Sequence, residues 1–250
     1  MKQKKKYIII SIAILIILFI IGSFYYIYFN DRGNMNNTII NDTTLIEEVF
    51  SDKNISHNKE IIEGYRNTYN NQDVVGEIEF LNTDYKKPLM QYSDNDYYLN
   101  HTEDKTSSYM GAIYLDFRTD INNSDKLLIY GHNSASIDMP FKILESYYDY
   151  NYYLGHKYVK ITSEEKTRLY KIYAITIEVE DFNYMQTDFN NEEEWYQHIH
   201  SFKDKSIYDT KEDVTKDDKI LIMQTCSTHY KYKNYDRKFL IVVAKEVSEK

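Results

Sequence analysis

Cys226 is the only cysteine in this chain of 250 residues, and it closes an apolar run, Lys219 to Thr225. A second apolar run, Phe239 to Val243, follows a polar, tyrosine-rich link, so Asp217 to Lys245 reads as two strands joined by a loop. By the two-residue period of a strand, Ile220, Ile222, Gln224 and Cys226 share one face, and Arg237 shares a face with Phe239, Ile241 and Val243. If the two strands are neighbours, a guanidinium lies near a thiol. The chemistry open to that pair is nucleophilic attack, because a nearby cation favours the thiolate or the oxyanion that its attack creates. On residue type alone, a lone cysteine at a strand end is more often a small buried hydrophobe.

A thiol nucleophile also needs a group that moves protons near neutral pH. Leu127 to Ser134, LLIYGHNS, is a strand that ends in Gly-His-Asn, and a histidine at a strand terminus can project into a cleft. His132 is therefore the acid-base candidate, with a structural role its bland alternative. His229, three residues from Cys226, is the rival, although a loop positions a catalytic group poorly. His101 and His156 lie in polar connections, and His198 and His200 belong to an acidic helix with no matching ligand set.

These residues need a scaffold. Strands are expected at Val75 to Leu81, Leu89 to Tyr92, Met110 to Phe117, Lys126 to Gly131, Lys157 to Thr162, Arg168 to Val179, Lys219 to Thr225 and Lys238 to Val247. Helices are expected at Pro140 to Tyr148 and at Glu192 to Phe202, the second capped by Asn191 with Glu194 in a capping box. A mostly β fold, an eight-stranded closed barrel with helical insertions, fits this order. Leu45 to Phe50 and His57 to Tyr69 have helical spacing and read as packing helices ahead of it.

Composition sets the outer bounds. Apolar residues make up 42% of the chain, enough for a substantial core, while 7 Gly and 2 Pro exclude a collagen-like or disordered chain. The net charge is −9, and Lys2, Lys4, Lys5 and Lys6 offset a body that is more acidic still, which argues against nucleic acid as a partner. Tyr7 to Phe29 carries no charge and is long enough to cross a bilayer, so it is expected to be an uncleaved signal anchor behind a cytoplasmic tail of residues 1–6. That places the rest of the chain outside a cell membrane crossed once, with residues 30–73 as linker and N-terminal helices and 74–250 as the main domain. A lone cysteine excludes internal disulfides, CxxC redox motifs and cysteine-based zinc ribbons.

The combination of IYGHN, IMQTC and a following Arg behind an apolar N-terminal segment resembles the sortases of Gram-positive bacteria. NTDYKKPLMQYSDNDYYLNH at 82–101, and the helix around Trp195 followed by SIYDTKEDVTKDDKIL at 206–221, are similar to features of class B. The usual Thr-Leu-x-Thr-Cys is represented by Ile222, Met223, Gln224, Thr225 and Cys226, which keeps Thr-Cys and replaces the first two positions. The resemblance implies a cysteine transpeptidase of sortase-barrel fold. Cys226 is its nucleophile, His132 its proton donor and acceptor, and Arg237 the residue that holds substrate and oxyanion. Tyr130, Thr225 and Ser227 are implied to line the substrate groove. The implied partners are secreted proteins with a Pro-x-Thr sorting signal, a lipid-linked peptidoglycan precursor amine and the membrane, and no metal or organic cofactor is implied. Two other readings stay open: a membrane-anchored cysteine peptidase that uses the same three residues with water as acceptor, and a noncatalytic extracellular binding domain in which Cys226 is buried and inert.

Overall fold

A computed structural model describes residues 21–23, 43–47, 49–50, 55–180 and 182–247. The chain divides into two units, Met1–Asp52 and Lys53–Lys250. In the first, all the described residues (21–23, 43–47 and 49–50) are helical. The membrane-spanning helix expected over 7–29, and the single-pass location built on it, are corrected. Among the described residues no helix is long and apolar enough to cross a membrane. A span needs about 20 apolar residues in one helix, and within 7–29 only Ile21, Gly22 and Ser23 are described, the remainder lying outside the described residues.

In the second unit the alternating apolar runs become eight strands: β1 Val74–Phe80, β2 Lys86–Met90, β3 Tyr114–Leu115, β4 Lys126–Tyr130, β5 Tyr158–Thr162, β6 Thr167–Glu178, β7 Ile220–Cys226 and β8 Phe239–Glu246. They close into a barrel in the order β1-β2-β3-β4-β7-β8-β6-β5. Alternation sorts each strand into two layers. Ile78, Leu127, Ile129, Leu221, Met223, Leu240 and Val242 meet inside the barrel. Leu128, Tyr130, Ile222, Ile241 and Val243 face outward into a second apolar layer that also holds Ile199 and Phe202.

Two strands depart from expectation. β3 keeps only two residues of the expected run, because Gly111 takes a left-handed φ of +62° and turns the chain ahead of it. β2 starts earlier, at Lys86, whose ammonium pairs with Glu79 of β1 at 2.9 Å. Pro88 is tolerated in it because β2 pairs with β3 only at Met90, so nothing on that side asks Pro88 for an N–H.

Helix α1, Ile55–Tyr69, packs on β1 through buried Ile62, and its Tyr65 hydroxyl donates to Glu77 at 2.7 Å. The stretch expected as a helix after Pro140 is a 3-10 turn over Lys142–Tyr148, followed by α2, Tyr150–Gly155, which the sequence reading did not contain. Helix α3, Glu192–Asp204, starts as expected at Asn191, whose side chain accepts from the Glu194 amide. The reciprocal half of the capping box is absent: Glu194 accepts from Asn190 and Gln186.

Candidate active site

The barrel order makes β7 the neighbour of both β4 and β8. β4 runs parallel to β7, with Tyr130 opposite Gln224, and β8 runs antiparallel, with Phe239 opposite Cys226. Two strands therefore end, and one begins, at the same rim. His132 follows β4, Cys226 closes β7 and Arg237 precedes β8, so the three sequence-predicted residues reach one place from three strands.

Hydrogen bonds fix the rim beyond the regular ladder. The Thr225 hydroxyl donates to the Gly131 carbonyl at 2.7 Å, and the Asn133 side-chain amide donates to the Cys226 carbonyl at 2.9 Å. Cys226 is exposed, while every preceding residue of β7 is buried. The surrounding protein still removes enough water to push the thiol's pKa up, and Lys238 pulls it partly back.

His132 is half-buried, and its Nε2 lies 2.8 Å from the Leu99 carbonyl. A carbonyl only accepts, so Nε2 carries a proton and Nδ1 is the nitrogen left for chemistry. Gly111 makes this contact possible, since a Cβ there would stand 2.8 Å from the Leu99 oxygen and 3.1 Å from Cδ2 of His132.

Arg237 is exposed and lies over two aromatic rings, Phe182 at 4.7 Å and Phe239 at 5.9 Å. Among the described residues no carboxylate forms an ion pair with it. The β6–β7 connection supplies the wall here: Phe182 and Tyr184 pack edge-on against Phe239. Burial pushes the Tyr184 phenol up, Arg237 pulls it down and Cys226 pushes it up, so the ring is within electrostatic reach of both groups.

Tyr130, Thr225 and Ser227 are buried, with their hydroxyls engaged by protein. Tyr130 donates to Asp116 at 2.8 Å, and Ser227 shares a 2.8 Å bond with the Tyr148 hydroxyl. Asp116 is fully buried and also accepts from Arg118 at 2.8 and 2.7 Å and from Asn95 at 3.0 Å. Burial works against the Asp116 charge, but these donors hold its carboxyl below the usual range.

The remaining histidines have structural partners. His229 stacks on Tyr230 and caps the short turn after β7, accepting from the Lys231 amide. His101 and His156 each contact a carbonyl one helical turn back, of Tyr97 and Tyr152. Leu99, Asn133, Phe182 and Tyr184 are rim residues that sequence reasoning missed. Leu99 and Asn133 act through a backbone carbonyl or on one, and such contacts leave no side-chain signature.

The rim thus presents an exposed thiol, an imidazole with one nitrogen fixed and one free, and a guanidinium with no carboxylate partner among the described residues. That set can add sulfur to a carbonyl, stabilise the oxyanion and pass a proton to a leaving amine. A family model described as a sortase domain matches residues 78–247. Sortase B of Listeria monocytogenes is 29% identical over 180 residues, covering 72% of each chain. Sortase B of Staphylococcus aureus is 29% identical over 176 residues, covering 70% of each chain. A mutant form of Clostridium perfringens sortase B superimposes with a TM-score of 0.68 at 26% identity, covering 78% of this chain and 90% of that one.

Proposed function

Since the chain belongs to the sortase family of cysteine transpeptidases, we propose that it acts as a class B enzyme. It cleaves a Pro-x-Thr sorting signal after Thr and passes the acyl group to an amine of a peptidoglycan precursor. The observation that carries this reading is the convergence of His132, Cys226 and Arg237 at one rim, with the guanidinium unpaired by any carboxylate among the described residues.

Because burial favours the neutral thiol, the Cys226 proton moves to Nδ1 of His132 as Sγ attacks the Thr carbonyl carbon. The C–S bond forms and the carbonyl π pair moves to oxygen, where the Arg237 guanidinium balances it. When that pair returns, the C–N bond breaks and the leaving amine takes the proton from Nδ1. A thioester on Cys226 remains. The acceptor amine then attacks the thioester, His132 removes its proton, and as the C–S bond breaks and the new amide forms Cys226 departs and takes that proton back from Nδ1. Leu99 keeps Nε2 protonated throughout, so a single ring nitrogen carries the shuttled proton. Tyr130, Thr225 and Ser227 hold the groove floor beneath the peptide.

The test is mass spectrometry of Pro-x-Thr peptides incubated with the full chain, with and without an amine. Cleavage after Thr and an amide product in the presence of amine are expected, with both lost in Cys226→Ala. Arg237→Ala should lower kcat by about 10²- to 10³-fold, the scale for loss of an oxyanion donor. If only water accepts the acyl group, the enzyme is a peptidase. If no peptide is cut and Cys226 resists alkylation, the catalytic reading fails.

A further inference from the structure

Three successive backbone carbonyls in the wall of the site are held by two basic side chains, Lys126 at the start of β4 and Arg118 in the β3–β4 connection. Lys126, the first residue of β4, donates through Nζ to the Tyr184 carbonyl at 2.7 Å and the Gln186 carbonyl at 2.6 Å. Between them, the Met185 carbonyl accepts from Nη2 of Arg118 at 3.1 Å. These carbonyls form the C-terminal end of the 3-10 turn Asn183–Met185, where unsatisfied oxygens collect and cations are favoured. The same Lys126 Nζ lies 2.9 Å from Nε2 of His198, which ties in α3, and the same Arg118 holds Asp116 beneath Tyr130.

The clamped segment carries Phe182, the ring beneath Arg237, and Tyr184, which packs on Phe239 opposite Cys226. Burying an ammonium is costly, and a strand could begin without one. Three acceptors within hydrogen-bond distance on a lysine that is 5% exposed are a built site, and what they fix is the wall.

We infer that Lys126 and Arg118 are positioning residues for the peptide groove: they hold the 182–186 wall in the one arrangement that sets Phe182 under Arg237 beside the Cys226 strand end. The inference rests on the transpeptidase reading for its substrate. Neither residue touches the reacting atoms.

The expected kinetic signature follows from population. If the wall is closed only part of the time, apparent affinity falls by the closed fraction, whereas bound peptide restores the closed state. Lys126→Met keeps the aliphatic stem and removes the donors. Arg118→Lys keeps a cation for Asp116 and loses the guanidinium's second reach, and it covers the case in which Lys126→Met does not fold. In either variant KM for a Pro-x-Thr peptide should rise about tenfold with kcat within about twofold, as for a tenfold smaller closed fraction. Cys226 alkylation by iodoacetamide should be unchanged. Hydrogen exchange of the amides from Asn183 to Phe189 should quicken by a similar factor. Unchanged exchange, or faster exchange with KM unchanged, overturns the inference, as does a collapse of kcat at constant KM. Failure of the transpeptidase reading shows differently, as a wild-type chain that cuts no peptide.

Discussion

Asn133 donates from its side-chain amide to the backbone carbonyl of Cys226 at 2.9 Å, so the residue after the imidazole holds the residue that bears the thiol. The bond crosses from the end of β4 to the end of β7, where the regular ladder has stopped. It keeps the two reacting groups in a fixed relation that neither strand enforces alone.

Removing that donor should therefore cost activity more than fold. Asn133→Ala loses one hydrogen bond worth about 1 kcal/mol, which corresponds to roughly a fivefold fall in kcat/KM. Asn133→Asp should be worse, because a carboxylate cannot donate and faces a carbonyl oxygen. Peptide cleavage rates for the two variants, with thermal midpoints as the control, check the order. Equal rates for wild type and Asn133→Asp would show that the tie between Asn133 and the Cys226 carbonyl does not set activity.

Cys226 reactivity should rise with pH across and beyond the ordinary thiol range, because burial pushes its pKa up. Lys238 opposes that shift, so Lys238→Met should raise the thiol's pKa further and slow iodoacetamide alkylation at pH 8. The pH profile of alkylation for both proteins measures it. A midpoint that falls in Lys238→Met would reverse the sign of the Lys238 effect.

Lys126 makes a second pH prediction, this time for stability. Burial, with Arg118 nearby, pushes its ammonium down to about 7 from an ordinary 10.5. Between those values the unfolded chain holds a proton that the folded chain has lost, so stability rises with pH over that window. Below pH 7 both states are charged and the cost of burial is fully present; above 10.5 both are neutral. The clamp survives the change, since a neutral amine still donates twice and can accept from the His198 ring, whose own pKa burial lowers to about 3. Urea midpoints from pH 7 to 10 should climb in wild type relative to Lys126→Met. Parallel curves would show that Lys126 does not titrate there.

Much of this scaffold was legible because strand alternation is written in side chains. All eight runs are strands, and Cys226, His132 and Arg237 could be singled out because each sits at the edge of such a run. Their convergence needed the strand order, which alternation does not encode. The short β3 was misjudged because the φ of Gly111 decides it, and glycine carries no apolar signal either way. Helix α2 was invisible because YNYYLG is shorter than two helical turns and shows no period. The clamp could not be read at all: Lys126 looks like a polar strand start, and its main partners are backbone carbonyls that any residues would supply.

Gly111 offers the sharpest test of how His132 is oriented. Its φ of +62° costs an alanine about 1 kcal/mol by itself, as for any residue with a Cβ in the left-handed region. The added methyl would also stand 2.7 Å from the Tyr98 oxygen and 2.8 Å from the Leu99 oxygen, both backbone atoms, and 3.1 Å from the His132 ring. Something must shift, and the carbonyl that fixes the imidazole tautomer is among the atoms that must give way. With Leu99 displaced, His132 can rotate or present the wrong nitrogen, so Gly111→Ala should lower kcat by about tenfold or more, part of the roughly 10²- to 10⁴-fold that a positioned acid-base catalyst supplies. Alkylation of Cys226 should stay near wild type, because it needs no proton shuttle. Gly64→Ala on α1 is the control: nothing lies within 4 Å of its added methyl, so it should leave activity alone and raise the thermal midpoint slightly. If Gly111→Ala turned over peptide at the wild-type rate, the Leu99 carbonyl would not be what holds the imidazole for proton transfer.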